Sequence, residues 1–167
     1  MKIETPTEVV QQSISSNWYN EAKENPCSEG EHVVKVIGVI INEEYGTLQL
    51  LLFTESGEKI VDRYNLKKEN GENNKAVWGR LSVAWKALTG SWLPKVFDTD
   101  DIVGEIMNIE VEHVSNPNGG IYVNTGTMVE AESFTPQKGV EVPELIYSND
   151  DDTEDEVDDV SFEEFTK

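Results

Sequence analysis

A mainly β domain, five short strands closing into a small barrel with one helix between the third and fourth, is what the sequence predicts. Three observations predict it. Between residues 32 and 66 three apolar or alternating runs are separated by turn-forming residues, and two more runs follow residue 103. Only the stretch 73–90 has sustained helical periodicity. Both ends of the chain differ in composition from this middle part.

Residues 1–29 have no sustained periodicity and form an N-terminal extension, in which Trp18 and Tyr19 read as an anchor packed on the domain edge. HVVKVIGVII (32–41) is a long β-branched strand, and the glycine inside it, Gly38, marks a bulge or bend. NEEYG (42–46) is a turn. In TLQLLLFT (47–54), Leu48, Leu50 and Leu52 share one face, while Gln49, Leu51 and Phe53 share the other. ESGE (55–58) is a hairpin turn, KIVDRYNL (59–66) the third strand and KKENGE (67–72) a polar loop.

In the helix, Val77, Trp78, Leu81, Ala84, Trp85 and Leu88 gather on one arc, opposite Lys75, Gly79, Ser82 and Lys86. Asn73 or Asn74 can accept an orphan backbone N–H at its start, and Gly90 suits its C-terminal end. Pro94 breaks regular structure in the loop that follows. The fourth strand (104–114) sets Met107, Ile109 and Val111 against Asn108, Glu110 and Glu112. SNPNGG (115–120) is a strong turn signal, and the fifth strand (121–131) sets Ile121 and Val123 against Tyr122 and Asn124.

Strand–strand–strand–helix–strand–strand is the order of the OB barrel, whose strand 2–3 face takes oligonucleotides or oligosaccharides, with the helix plugging one end. The domain is expected over 30–132, followed by a linker at 133–149. The last stretch, 150–167, begins with eight acids in ten positions and is expected to be a disordered acidic tail. Phe162 and Phe165 are unusual in such a tail and read as a short docking motif.

The formal charge of −20 is unevenly spread: residues 139–167 hold twelve acids against one lysine, −11 of the total. No apolar run approaches the roughly 20 residues of a membrane span, and no signal peptide is apparent, so a soluble intracellular protein is expected. A single cysteine, Cys27, excludes an internal disulfide and a cysteine-based metal cluster.

Catalysis finds little to work with. His32 and His113 each sit in a strand-like run, and neither joins a nucleophilic triad or dyad. The pairs Glu110/Glu112 and Asp100/Asp101 read as solvated carboxylates, and no phosphate-cradling glycine loop is present. No enzyme, cofactor or metal is expected.

Binding fares better. Residues 59–95 hold eight basic side chains against three acidic ones, +5 within an acidic chain, together with Tyr64, Trp78, Trp85 and Trp92. A positive groove with aromatic platforms suits single strands, because each phosphate carries a charge and each base a face. Trp78 and Trp85 belong to the helix's apolar arc and read as core. Phe53, on the outward face of strand 2, is divided between stacking on a base and covering a subunit interface or packing under the N-terminal segment.

The segments GEHVVKVIGVIINEEYGTLQLLLFTESGEKIVDRYNL, WGRLSVAWKALTG and IVGEIMNIEVEHVSNPNGGIYVNTGTMVEAES together resemble the small phage-encoded single-stranded-DNA-binding proteins of replication and recombination modules. The matching positions are Gly30-Glu31-His32, Trp78 and Leu81, Ile102-Val103-Gly104, and the run from Asn118 to Asn124. Glu105 departs from the lysine common there. The resemblance implies an OB fold that coats single-stranded DNA without sequence preference in the cytoplasm of an infected bacterium. It also implies self-association as a dimer or higher oligomer, and an acidic tail that competes for the groove and recruits replication or recombination proteins. The tail here runs past Phe162 and Phe165 to Thr166-Lys167, unlike tails ending in a Phe carboxylate.

On this reading Lys35, Lys59, Arg63, Lys67, Lys68 and Lys95 neutralise phosphates, and bases stack on Phe53, Tyr64 and Tyr122. Two rivals remain: an acidic DNA mimic that inhibits a nucleic-acid enzyme, and an OB-fold protein-interaction module.

Overall fold

The computed structural model describes residues 17–148. Helical backbone over 17–24 (α1) precedes three strands, β1 (Gly30–Asn42), β2 (Thr47–Thr54) and β3 (Lys59–Asn65). Helix α2 (Lys75–Thr89) and a 3-10 turn (Thr99–Ile102) lead to β4 (Ile106–Asn116) and β5 (Gly120–Glu130). All pairings are antiparallel in one sheet of order β3-β2-β1-β4-β5. The helix lies between the third and fourth strands, as expected, but the backbone ladder stays open, with β3 and β5 as its edges.

β1 organises the sheet because two partners share it. Gly30–Lys35 pair with β4, and Val34–Asn42 pair with β2. The expected bulge is present: Val36 faces Leu52 and Gly38 faces Leu51, leaving Ile37 as the extra residue. Alternation sends Val36 to the inner core and Ile37 to the outer one, and the bulge then shifts the phase so that Val39 returns inward and Ile40 outward.

The inner core follows from the sequence pattern. Leu48, Leu50 and Leu52 of β2 meet Ile60, Met107, Ile109 and Val111, and α2 covers them with Leu81, Trp85 and Leu88. Each such fully buried side chain contributes roughly 1.5–3 kcal/mol. Asn74 caps α2 by accepting from the Val77 N–H, and Gly90, at φ 84°, closes it with its own N–H on the Lys86 carbonyl. The left-handed conformation is what glycine supplies there. Trp78 and Trp85 both pack edge-on against Phe97, at 6.3 and 5.3 Å between centroids.

The outer core holds Trp18 as the expected anchor, but its cover was not expected. Trp18, Ile37, Leu51 and Phe53 are buried on the opposite face, under Phe134, Val140, Val142, Leu145 and Ile146. The stretch expected as a linker is therefore, up to Ser148, a docked strap. Its Gln137 N–H donates to the Glu55 carbonyl, and its Ile146 N–H donates to the Ile37 carbonyl at 2.8 Å. The physical reason is alternation: with Ile37, Leu51 and Phe53 on one face, that face is too apolar to leave in water. Residues 1–16 and the acidic tail, with its expected disorder and with Phe162 and Phe165, lie outside the described residues.

A second bulge, with Gly126 and Thr127 opposite Glu110, resets the alternation of β5. Thr125 and Met128 consequently both point inward.

Candidate nucleic-acid interface

The edges β3 and β5 meet through side chains at one end and part at the other. At the closed end Thr125 Oγ1 donates to Asp62 Oδ1 at 2.8 Å, and Tyr64 Oη donates to Asp62 Oδ2 at 2.7 Å. Arg80 of α2 completes the cluster, reaching Asp62 and Thr125 and lying over the Tyr64 ring. Burial disfavours the Arg80 charge, but the Asp62 carboxylate and the Tyr64 phenol together outweigh it and hold the guanidinium above its ordinary range. Burial, reinforced by Asp62, pushes the Tyr64 phenol up.

At the parted end a groove of about 140 Å³ opens between α1, β3 and β5. Tyr19 and Lys23 of α1 form one wall, Ile121, Tyr122 and Val123 of β5 the other, and Lys59, Ile60 and Val61 of β3 the floor. Tyr19 and Tyr122 are each about half exposed, at 51% and 52%. Two exposed tyrosines beside an apolar floor are a surface on which a flat, partly polar ring can lie.

The residues expected to bind divide into groups. Lys35, Phe53 and Lys59 are register neighbours across β1, β2 and β3, but this row is roofed. Phe53 is only 4% exposed, 6.3 Å from the Trp18 ring. Lys35 Nζ lies 5.1 Å from the Phe134 ring. Lys59 Nζ pairs with Glu21 at 2.7 Å and rests over Trp18. Tyr64 is fully buried, because alternation turns it inward between exposed Arg63 and Asn65. Stacking on Phe53 and Tyr64 is therefore corrected: neither presents a ring face to solvent, the first because of the strap and α1, the second because of strand phase.

Arg63, Lys67, Lys68, Lys95 and Tyr122 are all exposed. The Arg63 Nε donates to Asn65 Oδ1, and Lys67 and Lys68 follow directly in a loop folded back by the Lys67–Asn73 bridge. Tyr45, 68% exposed, stands in the neighbouring β1–β2 turn, where Gly46 lies against the Lys67 stem. Lys95 belongs to the loop after α2, beyond Trp92, whose ring carries Lys86 Nζ at 4.7 Å. It does not line the groove.

Of the expected anchor pair Trp18 is buried but Tyr19 is half exposed and lines the groove, and Lys23 was missed. In NWYNEAKE only Trp18 and Ala22, four apart, face inward, which is too short a stripe to reveal a helix by periodicity.

A separate cluster also escaped the sequence. Cys27, just after α1, His32 of β1 and Glu58 of the β2–β3 turn bring one donor atom each within 4.8 Å of one another. Burial, with Glu58 beside it, pushes the Cys27 thiol up to about 12. Burial would raise Glu58 as well, but hydrogen bonds from the Ser28 N–H and the Ser56 and Ser28 hydroxyls hold its carboxyl below its ordinary value. No helix among the described residues is long and apolar enough to cross a membrane. No protein-family model and no curated protein matches the chain.

Proposed function

We propose that this chain binds single-stranded nucleic acid, DNA in the first place, without sequence preference, on an OB-type barrel whose β3–β5 seam is closed by side chains. The sheet order, the strand shared between two partners and the helix between strands 3 and 4 support that fold reading. Bases would stack on Tyr122 and Tyr19, while Lys23, Arg63, Lys67 and Lys68 neutralise the backbone along the outer side of β3. Lys59 joins them if a phosphate displaces Glu21.

The observation that carries this reading is the groove between α1 and β5, with its two half-exposed tyrosines beside a strand that leads into unpaired cations. Lys67 and Lys68 make no ion pair with any described residue. Docking of replication or recombination proteins through Phe162 and Phe165, self-association, and a place in a phage-infected bacterial cytoplasm belong to the same reading.

Tryptophan fluorescence tests it, by titration with a single-stranded oligonucleotide at several salt concentrations. Quenching whose affinity falls steeply with salt, by roughly 0.7 logarithmic units per phosphate contact and decade, is the expected result. Absence of binding at low salt overturns it and favours a protein partner for the groove.

A further inference from the structure

We infer that Cys27, His32 and Glu58 form a binding site for one transition-metal ion of the Zn²⁺ class, joining the segment after α1 to β1 and to the β2–β3 turn. The three side chains come from separate parts of the chain, yet their donor atoms lie within 4.8 Å of one another. A thiolate, an imidazole and a carboxylate are the donor set that zinc takes, whereas magnesium and calcium take oxygen alone.

Two further observations point the same way. Glu58 is already oriented: Ser28 N–H and Ser28 Oγ donate to its two oxygens at 2.8 and 3.2 Å, and Ser56 Oγ donates at 2.7 Å. Hydrogen bonds of this kind hold a ligating carboxylate in place and leave it a lone pair for an ion. The cluster also borders an open concavity of about 490 Å³, where Glu31 and Glu55 join Glu58. That acidic mouth draws a hydrated cation in and leaves the fourth coordination position to water. On binding, the Cys27 sulfur loses its proton to solvent and forms the metal–sulfur bond, while His32 Nε2 gives up its 2.7 Å hydrogen bond to the Ser28 carbonyl and takes the ion, the ring proton being carried by Nδ1 instead.

This site does not depend on the nucleic-acid reading. Its test is titration of the full, tag-free chain with Co²⁺, followed by displacement with Zn²⁺. The expected result is a near-ultraviolet thiolate-to-cobalt band that saturates at one equivalent and is abolished by Zn²⁺. Cys27→Ser should remove the band. His32→Asn and Glu58→Gln each remove a ligand and should weaken binding by more than the roughly 10–100-fold that loss of a ligand-orienting partner costs, with circular dichroism confirming that these variants are folded. A wild-type chain without the thiolate band, or a folded His32→Asn variant that binds as tightly as wild type, overturns the inference.

Discussion

Arg80 on α2 and Asp62 on β3 form an ion pair whose carboxylate is only 4% exposed, and Thr125 of β5 is bonded to both partners. This one contact ties the helix to both open edges of the sheet. Asp62 has no other cation within reach among the described residues, so removing Arg80 strands a buried charge. Arg80→Met should cost about 2–4 kcal/mol in urea unfolding, below the range for a fully buried pair because the Arg80 side chain is one-third exposed. Loss of less than about 1 kcal/mol would show that the pair does not hold the seam.

Tyr122 and Tyr64 should behave oppositely, although both are tyrosines in or beside the basic strand. Tyr122→Ala and Tyr19→Ala should each weaken single-strand binding by about 1–3 kcal/mol and leave the melting temperature nearly unchanged. Tyr64→Phe removes the bond to Asp62 and should lower stability by about 1 kcal/mol with affinity intact. Oligonucleotide titration and thermal melts on the same three variants decide this. A loss of affinity confined to Tyr64→Phe would refute the placement of the groove.

Without a metal ion, Cys27 should be slow to react with thiol reagents in the native protein. It is fully buried and its thiol is pushed up to about 12, so almost no thiolate exists near neutrality. Reaction with a disulfide reagent at pH 8 should wait for unfolding. Because Glu58 is one cause of the upward shift, Glu58→Gln should bring the thiol down and speed the reaction. Rapid native-state labelling would contradict the burial.

Glu58 also sets a pH dependence. Its carboxyl is depressed in the folded chain, so its contribution is present above the unfolded value of about 4.3 and is lost as pH falls through the lower folded value. Wild type should therefore lose stability faster than Glu58→Gln as pH is lowered from about 5 towards 3. Parallel curves would mean that the Ser28 and Ser56 hydrogen bonds do not favour the ionised form.

Gly38 tests the strap. A methyl group there would lie 3.1 Å from Ile146 Cβ, tighter than most packed contacts, so Ile146 would have to give by a few tenths of an ångström. Gly38→Val should loosen residues 134–148 and cost about 1–3 kcal/mol, with faster hydrogen exchange at the Ile146 amide. Unchanged protection of that amide would show that the strap can shift. The strap also governs how the acidic tail is examined: a chain ending at Gln137 would lose Leu145 and Ile146 from the outer face, whereas one ending at Ser148 keeps them.

Strand limits and the helix were legible because their signals are local. Alternation in β2, the Asn74 and Gly90 caps and the turns at 55–58 and 115–120 each lie within a few residues. What was hidden depends on partners distant in sequence. The alternation of β2 showed that Phe53 faces away from Leu52, but not that Trp18 and Val140 would cover it. Tyr64 was legible in phase, since it alternates with Arg63 and Asn65; the basic window drew it wrongly into the site. Cys27, His32 and Glu58 have no common spacing, and it is the pairing of β1 with β2, Val34 against Thr54, that brings the β2–β3 turn and Glu58 to the first two.

The division of β1 between two partners has a consequence for the order of assembly. β2 follows β1 at once and can zip onto it as soon as it exists, but the first residues of β1 wait for β4, with Gly30 paired to Val111. On a ribosome, the strand that holds both cores together would thus stand half-paired until most of the domain had emerged. Closing so long a loop places the chain among domains that fold in milliseconds to seconds. Until then, the β4 side of Gly30–Lys35, with Val33 and Val34 in it, stays open to any passing strand.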